Sequence, residues 1–161
     1  MRTNEKITNG TKVFFILMLQ VEKFIANTSS SKAIDSILLK HQDRYLRKKI
    51  LISKKKNKIF FNFTKAVYLK HNTYLITTDH KVIKVLAKKE KIIQINIKNS
   101  KKRCEVAWHI GNRHMPAQVE SNKINIMYDP VIFKMLKNLG YKVSIKNKIF
   151  DPIGGAYDHK H

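Results

Sequence analysis

Seven histidines and one cysteine are the residues of this chain best suited to hold a metal ion, and three of the histidines stand where side chains project. His114 lies in the run Trp108-His109-Ile110-Gly111-Asn112-Arg113-His114-Met115-Pro116, where Gly111 and Pro116 bracket a turn. His159 and His161 close the sequence in Gly154-Gly155-Ala156-Tyr157-Asp158-His159-Lys160-His161. Neutral imidazole is a ligand for Ni, Cu and Zn. Two imidazoles spaced by one residue on a flexible tail can swing onto one ion and raise the local ligand concentration. A lone histidine beyond a helix end has a plainer use: with Arg113, His114 complements the negative end of the helix dipole, and on spacing alone that use is favoured. For His159 and His161 the plain alternative is a polar terminus or a purification remnant, although tags are runs of consecutive histidines and this tail is not.

The other candidates carry less. His109 sits more than a helical turn before His114, which separates the two in azimuth, so it is not counted as a ligand. Cys104, His41, His71 and His80 have no partner at ligand-like spacing and read as packing or surface residues. Trp108, Met115 and Met127 read as packing, although methionine suits interfaces that must adapt. The single cysteine excludes both an intramolecular disulfide framework and a Cys-rich zinc site, and a reducing cytoplasm is the natural compartment.

These side chains need elements to position them. Between 12 and 91 the chain shows short apolar runs broken by turn formers: 14–21, 49–53, 59–63, 74–77 and 82–86. Their alternation predicts strands with one buried face, two small packed sheets in all. The polar stretch 28–31 is expected to cap a short helical piece through 38–40. Beyond residue 91 the pattern changes to strand 92–97, helix 100–110, strands 117–120 and 124–128, helix 129–139 and strand 141–145. Ser100 is the expected N-cap of the first helix and Gly111 its left-handed C-cap; Asp129-Pro130 opens the second helix and Gly140 closes it. Ile132, Met135, Leu136 and Leu139 give that helix one apolar stripe. The order βαββαβ predicts a ferredoxin-like unit. The fold class is therefore α+β: a β-rich domain (18–91), a ferredoxin-like domain (92–149) and a flexible tail (150–161), with 1–17 as a leader or misplaced start.

The turn with His114 and the Gly-Gly-Ala-Tyr tail together resemble the UreE-type urease accessory proteins, nickel chaperones with a Gly-Asn-Arg-His-x-Pro turn and a tail running into histidines. The resemblance covers nearly the whole chain from Met18 onward, with the turn and the tail as its specific parts, and it implies a peptide-binding-like domain at 18–91 and a metal-binding and dimerisation domain at 92–149. It implies a metal site of His114, His159 and His161. In the family, the histidine of this turn meets its symmetry mate across a dimer interface and the pair binds one ion. It also implies a cytoplasmic homodimer that carries Ni²⁺, with Zn²⁺ or Cu²⁺ able to take the same site. The delivery partners implied are the urease accessory GTPase and the apo-urease maturation complex. Relatives often have Asp-His-Val where this chain has Asp129-Pro130-Val131, so an auxiliary histidine is lost, and the short tail implies little nickel storage. Two protein ligands leave coordination positions open, which favours hand-over. Imidazole must be deprotonated to bind, so affinity is expected to collapse below the ordinary histidine value of about 6.5.

Composition bounds the alternatives. At 161 residues the chain builds one ordinary core or two small ones. The longest apolar run, 13–19, is too short to cross a bilayer, and no small-residue cleavage site follows it. A formal charge of +22 would ordinarily indicate nucleic acid, and a basic RNA-binding protein is the alternative reading, since RNA-recognition modules share the ferredoxin-like topology. The predicted strands 92–97 and 117–120 lack the aromatics that stack bases, which argues against it. Lysines are spread throughout, and only 44–58 is locally dense, either a solvated hairpin surface, the favoured reading, or a docking patch for an acidic partner. No nucleophile and base pair, phosphate loop or convergent carboxylates appear, so an enzyme is not expected; a zinc-dependent hydrolase is a distant third reading.

Overall fold

The computed structural model describes residues 5–7, 14–16, 18–26 and 32–153 and divides the chain into two compact units, Met1–Lys88 and Lys89–His161. In the first unit β1 (Glu5–Ile7) pairs antiparallel with β2 (Phe14–Ile16). Six further strands follow: β3 (Met18–Ala26), β4 (Asp35–Leu39), β5 (Tyr45–Ile52), β6 (Lys58–Tyr68), β7 (Thr73–Thr77) and β8 (Val82–Ala87). They stand in the order β4-β8-β7-β3-β6-β5. β3 serves both halves, with Met18–Gln20 parallel to β6 and Val21–Ala26 antiparallel to β7 around a bulge between Val21 and Lys23. The expected pair of small sheets is thus joined through one shared strand. A single core of Leu19, Val21, Ile37, Leu46, Ile59, Phe61, Leu75 and Ile83, among others, draws on both halves.

The helical piece expected at 38–40 is not there. Asp35, Ile37 and Leu39 are buried in alternation, a period of two that makes β4 a strand parallel to β8. Its proposed cap at 28–31 lies outside the described residues. The helical turn comes later, as a 3-10 turn at Gln42–Arg44. Arg44, counted in the basic segment by sequence, is fully buried, its guanidinium 5.0 Å from the Tyr68 ring centroid.

The two ends of the strand order are tied together. The Lys54 amide at the β5–β6 turn donates to the Ser36 carbonyl of β4 at 2.7 Å. Asp35 accepts from the Ser53 hydroxyl, the Asn57 side-chain amide at 2.9 Å and the amides of Ser36 and Lys55 at 2.7 and 3.1 Å.

The second unit runs β9 (Lys89–Asn96), α1 (Ser100–Gly111), β10 (Ala117–Glu120), β11 (Lys123–Met127), α2 (Pro130–Asn138) and β12 (Lys142–Ile149). The sheet order is β10-β11-β9-β12 with every neighbour antiparallel, and this is the strand-helix-strand-strand-helix-strand arrangement read from the pattern. Ile93, Ile95, Ile97, Ile124 and Ile126 meet Val106, Ile110, Ile132 and Leu136 of the helices in its core. Asn99, not Ser100, caps α1, accepting from the Lys102 amide at 3.0 Å. Asp129 caps α2 as expected: its carboxylate accepts from the amides of Val131 and Ile132 at 2.8 and 2.9 Å, and Pro130 occupies the first turn. Gly140 takes the left-handed conformation after it, φ 77°. Replacing Asp129 by Ala should cost about 1 kcal/mol in urea unfolding, whereas Asp129→Ser should recover most of it. Equal losses in both variants would show that capping is not what Asp129 contributes.

Candidate metal centre

α1 buries Val106 and Ile110, one turn apart, and ends in a closed set of backbone hydrogen bonds. The His114 amide donates to the Gly111 carbonyl at 2.9 Å and the Met115 amide to the Ile110 carbonyl at 3.4 Å, while His114 itself has φ 52°. This is the Schellman arrangement, with a left-handed residue at the position usually given to glycine. The accompanying apolar contact is present too, since Met115 and Ile110 belong to the same core. Gly111, expected to be the left-handed cap, is helical; the helix continues to it and the chain turns at His114. The Arg113 guanidinium donates to the His109 carbonyl at 2.8 Å, satisfying an orphan carbonyl of the last turn. Arg113 thus does the structural work that the plain reading shared between it and His114, and the His114 imidazole is left exposed on a fixed backbone.

Two of the remaining candidates, His71 and His41, have other partners. His71 accepts the Ala87 amide at Nδ1, 3.0 Å away, and His41 Nδ1 lies 3.3 Å from the Tyr68 hydroxyl. His80 has φ 58° in the β7–β8 turn, and Cys104 is exposed. Among the described residues no three or more His, Cys, Asp or Glu side chains gather around a common point. Met115 packs on the core and Met127 is half-buried, but Trp108 is 63 % exposed, its ring 5.0 Å from that of His109, and so is not the packing residue it was taken for. The predicted ligands His159 and His161 lie outside the described residues. The start of the tail is held rather than flexible: Phe150 is buried, the Asp151 amide donates to Gln118 at 3.1 Å, and the Ile153 amide to the Ala117 carbonyl at 3.0 Å. The helix-free face of the second sheet aligns Gln118, Asn125, Gln94 and Ser144 in one row of register partners, amides and a hydroxyl where base stacking would need rings. No helix among the described residues is long and apolar enough to cross a membrane.

Residues 90–161 match the family model for the UreE urease accessory protein, C-terminal domain. Over 136 residues the chain is 37 % identical to the urease accessory protein UreE of Rhizobium rhizogenes, covering 84 % of this chain and 81 % of that protein. The chain belongs to the UreE urease accessory protein family. Further UreE relatives are those of Brucella suis, 38 % identical over 125 residues, and Agrobacterium fabrum, 35 % identical over 145 residues and covering 89 % of each chain. UreE proteins are urease accessory proteins and not enzymes.

The left-handed histidine was missed from sequence because Gly111 is the residue that ordinarily marks a helix end. The signal that identifies the true end is Pro116, since proline follows closely behind a C-cap and cannot continue a helix.

Proposed function

We propose that the chain is a nickel metallochaperone of urease maturation, a cytoplasmic homodimer in which the His114 imidazoles of two copies share one Ni²⁺. The observation that carries this reading is the exposed imidazole on a backbone fixed by hydrogen bonds, with no second ligand gathered beside it among the described residues. One imidazole cannot hold a divalent ion by itself, so the other donors come from a second copy and from His159 and His161 of the tail. The exposed Trp108, on the last turns of the same helix, is apolar surface that a twofold contact around His114 would cover. Zn²⁺ or Cu²⁺ binds the same donors, and by the usual divalent order copper binds at least as tightly, so the choice of nickel rests on supply and on the recipient. The recipient is the apo-urease maturation complex, reached through its accessory GTPase. Open coordination positions allow the ion to pass stepwise to a recipient's ligands without dismantling a closed site.

Equilibrium dialysis of nickel at neutral pH tests the reading. The intact protein should bind one tight ion per pair of chains, His114→Ala should lose it, and a version ending at Ala156 should bind more weakly. Affinity should fall on acidification, because each imidazole must lose its proton to coordinate. Unchanged nickel affinity in His114→Ala, or none lost on acidification, would remove the basis of the proposal.

A further inference from the structure

β12 ends at Ile149, and the four residues that follow, Phe150-Asp151-Pro152-Ile153, are neither strand nor helix, yet they are held. Phe150 is fully buried. The Asp151 amide donates to Gln118 Oε1 at 3.1 Å and the Ile153 amide to the Ala117 carbonyl at 3.0 Å, while Pro152 between them has no amide to satisfy. Both acceptors belong to β10. Because β12 and β10 are the outermost strands on opposite sides of the sheet, these residues form a strap from one edge to the other. Three strand spacings amount to roughly 14 Å, about what four extended residues can span, so the strap has no slack. Pro152 supports the extended path by fixing its own φ and biasing Asp151 away from helical backbone.

Gln118 is oriented to receive the strap. Its side-chain nitrogen donates to Glu120 Oε1 at 3.4 Å, and Glu120 is fixed in turn by Lys123 at 2.8 Å and by the Asn125 side-chain amide at 2.9 Å. With the nitrogen committed to a carboxylate, the Gln118 oxygen is the atom left to accept the Asp151 amide. The position of the strap's far end carries the functional consequence. Ala117 follows His114 by three residues, at most about 10 Å of chain. A tail leaving from Ile149 would start at the β12 edge, whereas one leaving from Ile153 starts beside the turn that carries His114. His159 is ten residues beyond Ile149 but only six beyond Ile153, at most about 20 Å of chain. Shortening the free length from ten residues to six raises the effective concentration of a tethered ligand about twofold, and the nearer start raises it further.

We infer that Gln118 and the strap are positioning residues: they fix where the tail begins, so that His159 and His161 act on the His114 turn of their own chain. The inference rests on the nickel reading above, but the strap is tested first without metal. A nitroxide on Asp158→Cys, in the full-length chain with Cys104→Ser, broadens nearby backbone amides in the NMR spectrum of the metal-free protein. Broadening should fall on 114–118 far more than on β12. Ile153→Pro combined with Gln118→Met removes one donor and one acceptor and should erase that contrast. Ile153→Ala should preserve it, since the side chain is 64 % exposed and the amide is kept. Equal broadening with and without the two hydrogen bonds would overturn the inference. In nickel dialysis the double variant should bind about fivefold more weakly than the intact protein. In a version ending at Ala156 the same two substitutions should change nothing, because no tail histidine remains to be positioned. An equal loss at both lengths would mean that the strap merely supports the fold, and would also overturn the inference. If the parent itself takes up no nickel, the nickel reading fails, and the nitroxide contrast still decides whether the strap directs the tail.

Discussion

Glycine at position 114 should make the protein more stable while abolishing the nickel binding proposed for it, two effects of opposite sign from one substitution. A non-glycine residue in the left-handed region pays about 1 kcal/mol for the approach of its Cβ to the following carbonyl oxygen, and glycine removes that cost. His114 holds φ 52° with its amide on Gly111 and the next amide on Ile110, so the turn geometry demands this conformation whichever residue occupies it. His114→Gly should therefore raise the urea midpoint by the equivalent of about 1 kcal/mol. His114→Asn, with a side chain that also tolerates this region, should leave stability near that of the parent. Both should weaken nickel binding by more than about a hundredfold, exceeding what loss of a supporting residue alone does to a metal site. A merely structural histidine predicts something else: stability moves but nickel does not. If the glycine variant kept its nickel, the ligand would lie elsewhere; if it unfolded more easily, the left-handed backbone would not be a strained one. A histidine kept where glycine would be more stable is what a ligand position requires, since stability is traded for a side chain held at a fixed place and angle.

How much of this was legible in the sequence depends on the range of the interactions involved. The second unit follows from local patterns: period-two isoleucines in β9 and β11, the apolar stripe of α2, and the Asp129-Pro130 start. Each of these acts within a few residues, so spacing alone reveals it. The first unit was legible only as strands. Its order, with β3 shared by two halves and β4 parallel to β8, is set by pairings between segments far apart in the chain. β4 was misread because the polar stretch 28–31 reads as a helix cap, and what decides is the burial of Asp35, Ile37 and Leu39 against distant partners. The same limit applies at the site. His114 stands out in the sequence as a histidine on a turn, but that it and not Gly111 is the left-handed residue depends on where Met115 anchors in the core. The basic stretch 44–58 was legible as charge; that Arg44 turns inward depends on the 3-10 turn that sets it over Tyr68, and that Ile50 and Ile52 turn outward required the bulge in β5, which reverses which residues face the core.

The residue whose loss should damage the fold most is Asp35, which no motif or spacing singles out. Asp35 is 6 % exposed and gathers four donors, from Ser36, Ser53, Lys55 and Asn57, at the place where β4 meets the β5–β6 turn. Those donors come from opposite ends of the strand order, so the carboxylate fastens the sheet end to end. Asp35→Ala would leave the buried Ser53 hydroxyl and several amides without an acceptor, and should cost about 3 kcal/mol in urea unfolding. Amide exchange should accelerate in β4 and the 53–57 turn first. Ser53→Ala removes one donor of four and should cost about 1 kcal/mol, with a favourable coupling to Asp35 in the double-mutant cycle. Acidity gives an independent reading. Burial alone pushes the Asp35 carboxyl up, but the hydrogen bonds from Ser53, Asn57, Ser36 and Lys55 together outweigh it and hold the group below its ordinary 3.8. A carboxyl lower in the folded than in the unfolded chain adds stability that is fully present above the unfolded value and disappears as pH falls through the folded one. The parent should therefore lose this contribution below about pH 4, whereas Asp35→Ala, already without it, should show a shallower decline over the same range. Parallel acid profiles for the two proteins would mean that Asp35 does not fasten the sheet.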